Sequence, residues 1–478
     1  MIAAPAVDWG VVAPLAILVA TGLAILLADL LSARASRALL YGIGIAGSAA
    51  AFIALLSQIG HPATTFAGAF ASDRFSWTFD ALLLFSLVVA LLLSLLGRAD
   101  DGANPGSYAA LLVFCTVGGA IMAGATNLII IFLGIEQLSL SLYILVGTGL
   151  GRPASSEAAL KYVLLGSLAS GFLIYGSALL YGAAGGIGLD ALAKSAAAPT
   201  MLFYVGFALF VVGVAFKLAL APFHVWTPDV YEGAPLAVTA YMAVAVKAAT
   251  FAVLARIVYT VFGHDSPALA PLWMLAILSM IVGNVGALGQ TNLKRLLAYS
   301  SIAQAGYIVV ALAGVAGSGL ATMLFYLTAY ACMNLGAFAV ISLVGDGSED
   351  AASLESYRGM FWRRPWVAVW MTIFMFSLAG IPATAGFIGK VLLLGQAVAA
   401  GPWGIAMAVT LVAGTLVSFY VYLKVVWTMY APREADAGDV GGNALAPWIA
   451  VAAGTAGVVL LGIVPQLFYV LAPYLSTP

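Results

Sequence analysis

The chain has 478 residues, of which 64% are hydrophobic and only 8% are charged, whereas about a quarter of the residues in an average soluble domain carry a charge. This composition excludes a water-soluble globular protein. The formal net charge of −1 provides no basic field for nucleic acid, and two isolated cysteines, Cys115 and Cys332, cannot build a disulfide framework, a thiolate metal site or an iron–sulfur centre.

Long apolar runs follow one another along the chain. No Lys or Arg precedes Arg34, so the first run lacks the charged region of a secretory signal, and we expect it to be retained as a membrane span. A hydrocarbon core about 30 Å thick needs about 20 helical residues, and the runs lack the alternating polarity of membrane-barrel strands. The sequence therefore predicts an all-α membrane protein, a polytopic bundle of about 14 transmembrane helices. The predicted spans are approximately 11–31, 39–57, 79–97, 107–124, 126–148, 158–184, 201–225, 235–262, 268–289, 296–315, 318–344, 366–397, 402–431 and 446–474.

The positive charges in the loops predict the orientation of the bundle. With the N-terminus outside, the opposite loops hold only Arg74 and Lys194. The predicted cytoplasmic loops hold Arg34, Arg37, Arg98, Arg152, Lys294, Arg295, Arg358, Arg363, Arg364 and Arg433. Six basic residues fall inside the predicted spans, namely Lys161, Lys217, Lys247, Arg256, Lys390 and Lys424.

A short tripeptide occurs twice, before spans five and ten. Thr126-Asn127-Leu128 and Thr291-Asn292-Leu293 share three residues, which chance alone can produce. If the echo marks a repeat, the repeat has five spans, and an odd number of spans makes successive repeats inverted in the membrane, as in many ion carriers.

Glu136 lies about ten residues into span five, which places its carboxylate roughly 15 Å deep, near the bilayer midplane. Ser139, Tyr143 and Gly147 follow on the same helix face, so the carboxylate belongs to a narrow polar stripe. Intramembrane carboxylates are commonly functional, although a static ion pair or hydrogen bond between helices is the alternative.

Two spans contain breaks beside a lysine. In span seven, Pro222 removes a helical hydrogen bond within about a turn of Lys217. Span twelve carries Pro382 between two glycines ahead of Lys390, in a run longer than a straight span requires. A broken helix beside a charge can hold water, while proline kinks also occur for packing alone.

The buried charges together favour proton transfer. Lys217, Lys247 and Lys390 outnumber the single midplane carboxylate Glu136, which does not suit static ion pairs, and desolvation favours proton release from a buried lysine. His224 could bridge Lys217 and Lys247, because imidazole titrates near neutral pH, or it could be a structural group.

Other features carry less weight. The Gly42-Ile-Gly44-Ile-Ala-Gly47 pattern lies inside span two with no preceding strand, so helix packing explains it better than nucleotide binding. Lys161 could snorkel or could influence Glu136, and Arg256 and Lys424 are expected to snorkel from span ends. A polar stripe on span ten is either packing contact or a water path; its residues are Ser300, Gln304 and Tyr307.

Four segments give the chain a specific resemblance to the subunit N family of respiratory complex I, the proton-pumping NADH:quinone oxidoreductase, among its antiporter-like subunits. They are Glu136-Gln-Leu-Ser-Leu-Ser-Leu-Tyr143, Phe216-Lys217-Leu-Ala-Leu-Ala-Pro222-Phe-His224-Val-Trp-Thr-Pro-Asp229-Val-Tyr-Glu-Gly-Ala-Pro235, Asn292-Leu-Lys-Arg-Leu-Leu-Ala-Tyr-Ser-Ser-Ile302 and Gly380-Ile-Pro-Ala-Thr-Ala-Gly-Phe-Ile-Gly-Lys390. Lys390 differs from the Glu that the M type typically carries there, and we expect the chain to be without the long lateral helix of the L type.

The resemblance implies a proton relay with distinct residue roles. Glu136 and Lys217 would form a coupled pair, Lys247 the central relay lysine and Lys390 the distal proton site. Lys161 matches the additional lysine that the family carries near the Glu, and His224 its histidine between the relay lysines.

The resemblance also implies two inverted five-helix repeats with broken helices 7 and 12. The expected organisation is a three-helix segment over 1–106, repeats over 107–262 and 263–431, and a last helix over 432–478.

We expect proton translocation along this relay, driven by quinone reduction in partner subunits. No cofactor or metal is expected in this chain, whereas FMN, iron–sulfur clusters and quinone are expected in partners that include other complex I membrane subunits. The expected location is a bacterial inner membrane. A subunit of a multisubunit cation/proton antiporter is the alternative function, and a third possibility is a structural subunit whose buried charges only fix packing.

Overall fold

The computed structural model describes residues 6–32, 36–95, 103–314, 316–345, 352–432, 445–466 and 468, and the loop cations Arg34, Arg98 and Arg433 lie outside them. The helices are α1 (Trp9–Leu31), α2 (Arg37–Gln58), α3 (Arg74–Ser94), α4 (Pro105–Gly124), α5 (Leu128–Val146), α6 (Pro153–Ala184), α7 (Leu189–Ala196), α8 (Met201–Leu218), α9 (Thr227–Gly233), α10 (Leu236–Tyr241), α11 (Lys247–Ile257), α12 (Ala270–Leu288), α13 (Leu293–Ala311), α14 (Ala316–Val344), α15 (Met360–Arg363), α16 (Pro365–Ala379), α17 (Ala385–Ala399), α18 (Gly404–Tyr430) and α19 (Leu445–Ile463). Strands β1 (Ala63–Thr65) and β2 (Phe70–Ser72) form an antiparallel hairpin.

The helical membrane fold predicted from the apolar runs is confirmed. Within the described ranges, twelve helices are long and apolar enough to cross a membrane. Predicted span ten corresponds to α13, and predicted span twelve corresponds to the two shorter apolar helices α16 and α17. The exact count of fourteen, the two inverted repeats and the domain boundaries at 106, 262 and 431 stay predictions.

The spans differ in how deeply they are buried. In an apolar 18-residue stretch of each span, 94% of the residues are buried in Leu236–Phe262 and in Gly317–Val344, whereas only 33% are buried in α2 and in α6. The first two therefore form the centre of the bundle, and most of the surface of α2 and α6 faces outward. The span Leu236–Phe262, here called the central span, is not a regular α-helix. A π-helical segment, Met242–Val246, separates α10 from α11 within it.

The repeated Thr-Asn-Leu tripeptide has the same local structure at both places. Asn127 caps α5 by accepting a hydrogen bond from the amide of Ile130, and Asn292 caps α13 by accepting one from the amide of Arg295. Each asparagine also forms an isolated antiparallel bridge to a later loop, Asn127 with Gly188 and Asn292 with Ser353. The echo is therefore structural as well as sequential.

The helices on either side of each tripeptide, α4 with α5 and α12 with α13, also pack in the same way. A Cβ added to Gly118 of α4 would lie 2.5 Å from the backbone nitrogen of Leu138 in α5. A Cβ added to Gly283 of α12 would lie 2.4 Å from the nitrogen of Ala303 in α13. In both pairs glycine lets two backbones approach closely, a common device for packing membrane helices.

Both predicted helix breaks are present. Helix α8 ends at Leu218, followed by Ala219 with a φ of +58°, and the chain continues irregularly to α9. Helix α16 ends at Ala379, followed by Gly380 with a φ of +86°, and α17 begins at Ala385. The left-handed residue turns the chain out of each helix.

Candidate functional site

Glu136 extends from α5 toward α6. Its side chain is half-buried, and its Oε1 atom accepts a hydrogen bond from the hydroxyl of Ser170. The hydroxyl of Ser139, one turn further along, donates instead to the carbonyl of Ile135 in its own helix. Neither Ser139 nor Tyr143 of the predicted polar stripe donates a hydrogen bond to the carboxylate.

Lys217 lies in the last turn of α8, and only 3% of the residue is exposed. Its Nζ atom has no hydrogen-bond partner. Instead, the ammonium lies 5.3 Å from the ring centroid of Tyr143, 5.2 Å from that of Tyr162 and 5.7 Å from that of Phe216. These three rings, here called the aromatic cage, stabilise a cation through their negative faces.

The predicted partners Glu136 and Lys217 do not form a direct ion pair in the structure. The carboxylate is bonded to Ser170, and the buried ammonium is among the atoms without a hydrogen-bond partner. The hydroxyls of Tyr143 and Tyr162 are buried and unpartnered as well. Three unpartnered polar groups in one place are the surroundings in which a buried water is stable.

Aromatic packing supports the cage from the chain that follows the break. Trp226 stacks on Tyr162 with ring centroids 4.6 Å apart, and its indole nitrogen donates to the carbonyl of Phe216 at 3.1 Å. Gly166 admits the tip of Tyr143, because a Cβ added there would lie 2.0 Å from the phenolic oxygen. The irregular segment thus holds the cage in shape.

Lys247 begins α11, directly after the π-helical segment, and is 2% exposed. Its Nζ atom donates a hydrogen bond to the backbone carbonyl of Ser301 in α13. The hydroxyl of Thr250 bonds within its own helix, to Val246. Lys247 of α11 therefore contacts α13, the helix that carries the polar stripe of Ser300, Gln304 and Tyr307.

That stripe takes part in two hydrogen-bonded groups, one around Ser300 and Gln304 and one at Tyr307. The phenol of Tyr422 in α18 bonds to Ser300 and accepts from Gln304 at 3.5 Å, while Tyr326 of α14 donates to the Gln304 side-chain oxygen at 2.6 Å. The amide of Asn284 donates to the Tyr307 hydroxyl at 2.8 Å. The stripe has polar partners on three helices.

Lys390 lies on α17 and is 6% exposed. Its Nζ atom donates to the carbonyls of Leu378 at 3.0 Å and Ala379 at 2.9 Å, which are the last residues of α16. It also lies 5.5 Å from the ring centroid of Tyr307. The negative end of the α16 dipole and two otherwise unpaired carbonyls therefore hold this ammonium.

His224 lies in the irregular segment between α8 and α9 and is half-buried. Its Nδ1 atom is buried without a partner, and no hydrogen bond joins its ring to Lys217 or to Lys247. Its neighbours Pro222 and Val225 are exposed. The structure does not bring this histidine into direct contact with the lysines it is predicted to bridge.

Lys161 binds two carboxylates other than Glu136. Its ammonium lies 2.6 Å from Asp229 and 2.7 Å from Glu157. Asp229 also accepts from Arg295 at 2.7 Å, and Arg295 reaches Glu232 at 2.9 Å. This ionic network links α6 and α9 to α13.

The network lowers the pKa of Asp229. Partial burial raises the pKa of Asp229, but the hydrogen bonds and charges of Lys161 and Arg295 outweigh that effect, so the pKa of Asp229 is lowered from its ordinary value.

Asp229, Glu232 and Arg295 are not among the predicted site residues, although all three lie in segments that carry the family resemblance. Two acidic residues three positions apart fall on one face of a helix, so their spacing pointed to a shared cation.

The expectation that Arg256 snorkels is wrong. The residue is 4% exposed, and its guanidinium forms a two-pronged ion pair with Asp73, at 2.9 and 3.2 Å. It also donates to the carbonyl of Ala123 at 3.0 Å and lies 4.6 Å from the ring centroid of Phe75. A carboxylate at the start of α3 was within reach, and pairing satisfies the charge better than extension to a distant surface.

Comparisons with known proteins agree on one family. The family model described as NADH:quinone oxidoreductase/Mrp antiporter, TM, matches residues 125–416. A protein from Trichlorobacter lovleyi named NADH-quinone oxidoreductase subunit N is 40% identical over 472 residues, covering 96% of this chain and 95% of that protein. A protein from Symbiobacterium thermophilum named NADH-quinone oxidoreductase subunit N 1 is 41% identical over 416 residues, covering 84% of each.

Solved structures show the same relationship. A chain of respiratory complex I from Thermus thermophilus with bound aureothin is 36% identical, with a TM-score of 0.82 and coverage of 96% of this chain and 98% of that one. A chain of the Mrp complex from a Dietzia species has a TM-score of 0.82 at 22% identity, covering 97% of each, which shows a shared fold. The chain belongs to the NADH:quinone oxidoreductase/Mrp antiporter membrane-subunit family, within its subunit N branch.

Proposed function

We propose that this chain is the N-type antiporter-like subunit of a proton-translocating NADH:quinone oxidoreductase, and that it moves protons across the membrane. The observation that carries the proposal is the set of three buried lysines, Lys217, Lys247 and Lys390, at most 6% exposed. None of the three forms an ion pair with a carboxylate among the described residues. The redox steps belong to partner subunits, so this chain contributes to the enzyme without being its redox centre.

The energetic cost of these lysines supports a functional role. Each charge near the bilayer centre costs about 2.5–3.5 kcal/mol on the insertion scale. A paired carboxylate would recover part of that cost, yet these lysines have only carbonyls or aromatic rings as partners. A lysine that can lose its proton avoids the cost in one of its two states, which suits a proton carrier.

The proposed path follows the contacts described above. A proton would pass from the region of Glu136 and Lys217 to Lys247, with His224 assisting through water because it does not touch either lysine. Lys247 contacts Ser301 of α13, and the stripe on that helix extends to Tyr307, whose ring faces Lys390. Lys161 would act at a distance, through the ionic network rather than by contact with Glu136.

Charge changes near Glu136 would couple this path to quinone reduction. At an effective dielectric constant of about 20, two unit charges 4 Å apart interact by about 4 kcal/mol. Moving one proton against 100 mV needs about 2.3 kcal/mol. The energy of gaining or losing one charged partner at the aromatic cage is therefore comparable to the energy needed to move one proton across the membrane.

The same proposal covers cofactors, partners and location. FMN, iron–sulfur clusters and quinone would be bound by partner subunits. Those partners include other antiporter-like and small membrane subunits, and the complex would lie in a bacterial inner membrane. Family membership and the structural likeness to complex I support this assignment.

The test uses the assembled native complex with Lys217→Ala or Glu136→Gln. We expect normal assembly with a loss of at least tenfold in NADH-driven proton pumping. Lys194→Ala is the matched control, because Lys194 is an exposed lysine on α7. Undiminished pumping and quinone reduction in both relay variants would exclude this path, and normal pumping with several relay residues neutralised would indicate a structural role.

The likeness of fold to the Mrp complex favours one second candidate, a subunit of a multisubunit cation/proton antiporter. Gentle isolation of the native assembly through a tag on this chain distinguishes the two. Flavin and NADH-reducible iron–sulfur signals with quinone reductase activity support the oxidoreductase. Sodium/proton exchange without either cofactor supports the antiporter.

A further inference from the structure

Asp80 is a buried acid that the relay described above does not use. It lies seven residues after Asp73 on α3, about 10 Å further along the helix. Its Oδ1 atom is buried and has no hydrogen-bond partner, although the residue as a whole is partly exposed. A carboxyl oxygen without a partner inside a membrane bundle is costly, so it calls for a functional explanation.

The position of Asp80 follows from how α3 packs. The start of α3 meets the end of α11, because Asp73 pairs with Arg256. The body of α3 also packs against α10 and the π-helical segment, so α3 and the central span are antiparallel. Lys247 lies nine residues before Arg256, about 13 Å along the helix. Asp80 and Lys247 are therefore within a few ångströms of the same depth.

Asp80 has charged groups near the start of α3, and polar groups lie on the neighbouring helix α14. Asp73 and Arg256 both interact with Asp80 electrostatically. Helix α14 also packs against α3 and the π-helical segment, and it carries Tyr330 and Asn334 with buried, unpartnered polar atoms. Buried polar atoms without a protein partner are the kind of groups that bind a buried water, and these lie on a helix that contacts both α3 and the π-helical segment.

We propose that Asp80 is a proton-relay carboxylate on an outward branch that leads from Lys247 to the Arg256–Asp73 pair. This inference rests on the proposed proton-translocating function. In the step, protonated Lys247 gives its proton through water to the Asp80 carboxylate, which leaves a neutral amine and a neutral carboxylic acid. The acid then releases the proton toward the end of the bundle opposite the predicted cytoplasmic loops.

Arg256 has a defined part in this step. Its guanidinium is tied to Asp73 and to the Ala123 carbonyl, so it stays in place while Asp80 changes charge. The Arg256 cation partly offsets the repulsion between the Asp73 and Asp80 carboxylates, so it limits the cost of the charged state of Asp80. Arg256 is thus a positioning residue, and Asp80 carries the proton.

The experiment measures protons translocated per NADH oxidised by the native complex in proteoliposomes. Asp80→Asn keeps the size of the side chain but cannot carry a proton. We expect at least a threefold fall in the ratio with normal amounts of assembled complex, and recovery to within twofold in Asp80→Glu. Asp190→Asn is the matched control, because Asp190 is an exposed aspartate on α7.

Lys247→Ala separates this inference from the function on which it rests. A normal ratio in Asp80→Asn with a reduced ratio in Lys247→Ala would overturn the outward branch and leave the proposed function intact. Normal ratios in both would overturn both. If Asp80→Asn and Asp80→Leu both fail to assemble while Asp80→Glu assembles, the carboxylate serves folding and the inference is wrong.

Discussion

The two broken helices use the same backbone turn but give their lysines different partners. After α8, the amide of Leu220 donates to the carbonyl of Ala215 at 2.9 Å. After α16, the amide of Ile381 donates to the carbonyl of Phe376 at 3.0 Å. Both bonds span five residues around a left-handed residue, as in the Schellman motif. The backbone turn alone therefore does not determine the environment of Lys217 or of Lys390.

The position of each lysine relative to its break makes the difference. Lys217 precedes its break, where the ammonium has no hydrogen bond and faces aromatic rings. Lys390 follows its break and donates back to the two carbonyls that the break leaves open. Hydrogen bonds to charged groups contribute about 1.5–3 kcal/mol each. Lys217 can thus change partners without losing a hydrogen bond, whereas Lys390 must break two.

Removing each lysine tests this difference most strongly. Lys390→Ala leaves the carbonyls of Leu378 and Ala379 buried without partners, at about 1–3 kcal/mol each, or about 2–6 kcal/mol in total. Lys217→Ala removes no hydrogen bond. We therefore expect a larger fall in the midpoint of thermal dissociation of the complex for Lys390→Ala. Equal falls would show that the two sites are alike.

The aromatic cage gives the next largest effect. Tyr143→Leu removes one ring from the Lys217 ammonium, and cation–π contacts contribute about 0.5–2 kcal/mol. We expect proton pumping to fall about threefold to tenfold, because the charged state of Lys217 loses support. Tyr143→Phe retains the ring, so it separates the ring from the unpartnered hydroxyl. A fall as large in Tyr143→Phe would assign the effect to the hydroxyl and any water it holds.

Exchanging the residues at the two breaks tests whether the turns are equivalent. Gly380→Ala puts a side chain at a φ of +86°, with its Cβ 2.9 Å from the Cδ atom of Lys390. Ala219→Gly relieves an existing left-handed alanine at a φ of +58°. Left-handed backbone costs a residue with a Cβ about 1–2 kcal/mol. We expect the first variant to lower the thermal midpoint and the second to keep or raise it. Shifts of the opposite sign would mean that packing around each residue, and not its backbone conformation, determines the change in the thermal midpoint.

The sequence was sufficient for the helical membrane fold and for both breaks, because apolar length and proline act locally. It also predicted that Lys217, Lys247 and Lys390 are buried. It could not predict that Lys217 faces rings, since Tyr162 comes from another helix, distant in the sequence. The hydrogen bonds of Lys390 depend on how α17 folds back on α16, which no local pattern encodes.

Long-range ion pairs show the same limit. Arg256 pairs with Asp73, a residue 183 positions away, whereas its place near a span end predicts a snorkelling side chain. Asp229 lies within the motif that carries the family resemblance, but its partner Arg295 lies in the second half of the chain. Such pairs become visible only when the helices are arranged in space.

The smallest effect on thermal stability is expected at the ionic network that links α6 and α9 to α13. Asp229→Asn removes ion pairs between partly exposed side chains, for which about 0.2–1 kcal/mol each is typical. The pKa of Asp229 is lowered below its ordinary value of 3.8, so its contribution to stability is present above that value and is lost as pH falls through the lower pKa of the folded state. The thermal difference between wild type and Asp229→Asn should therefore be constant from pH 5 to pH 8. The comparison is made by thermal dissociation at several pH values, with Asp190→Asn as a control for an exposed carboxylate. A difference that changes within this range would show that Asp229 titrates there, and that the network follows proton movement instead of holding the halves together.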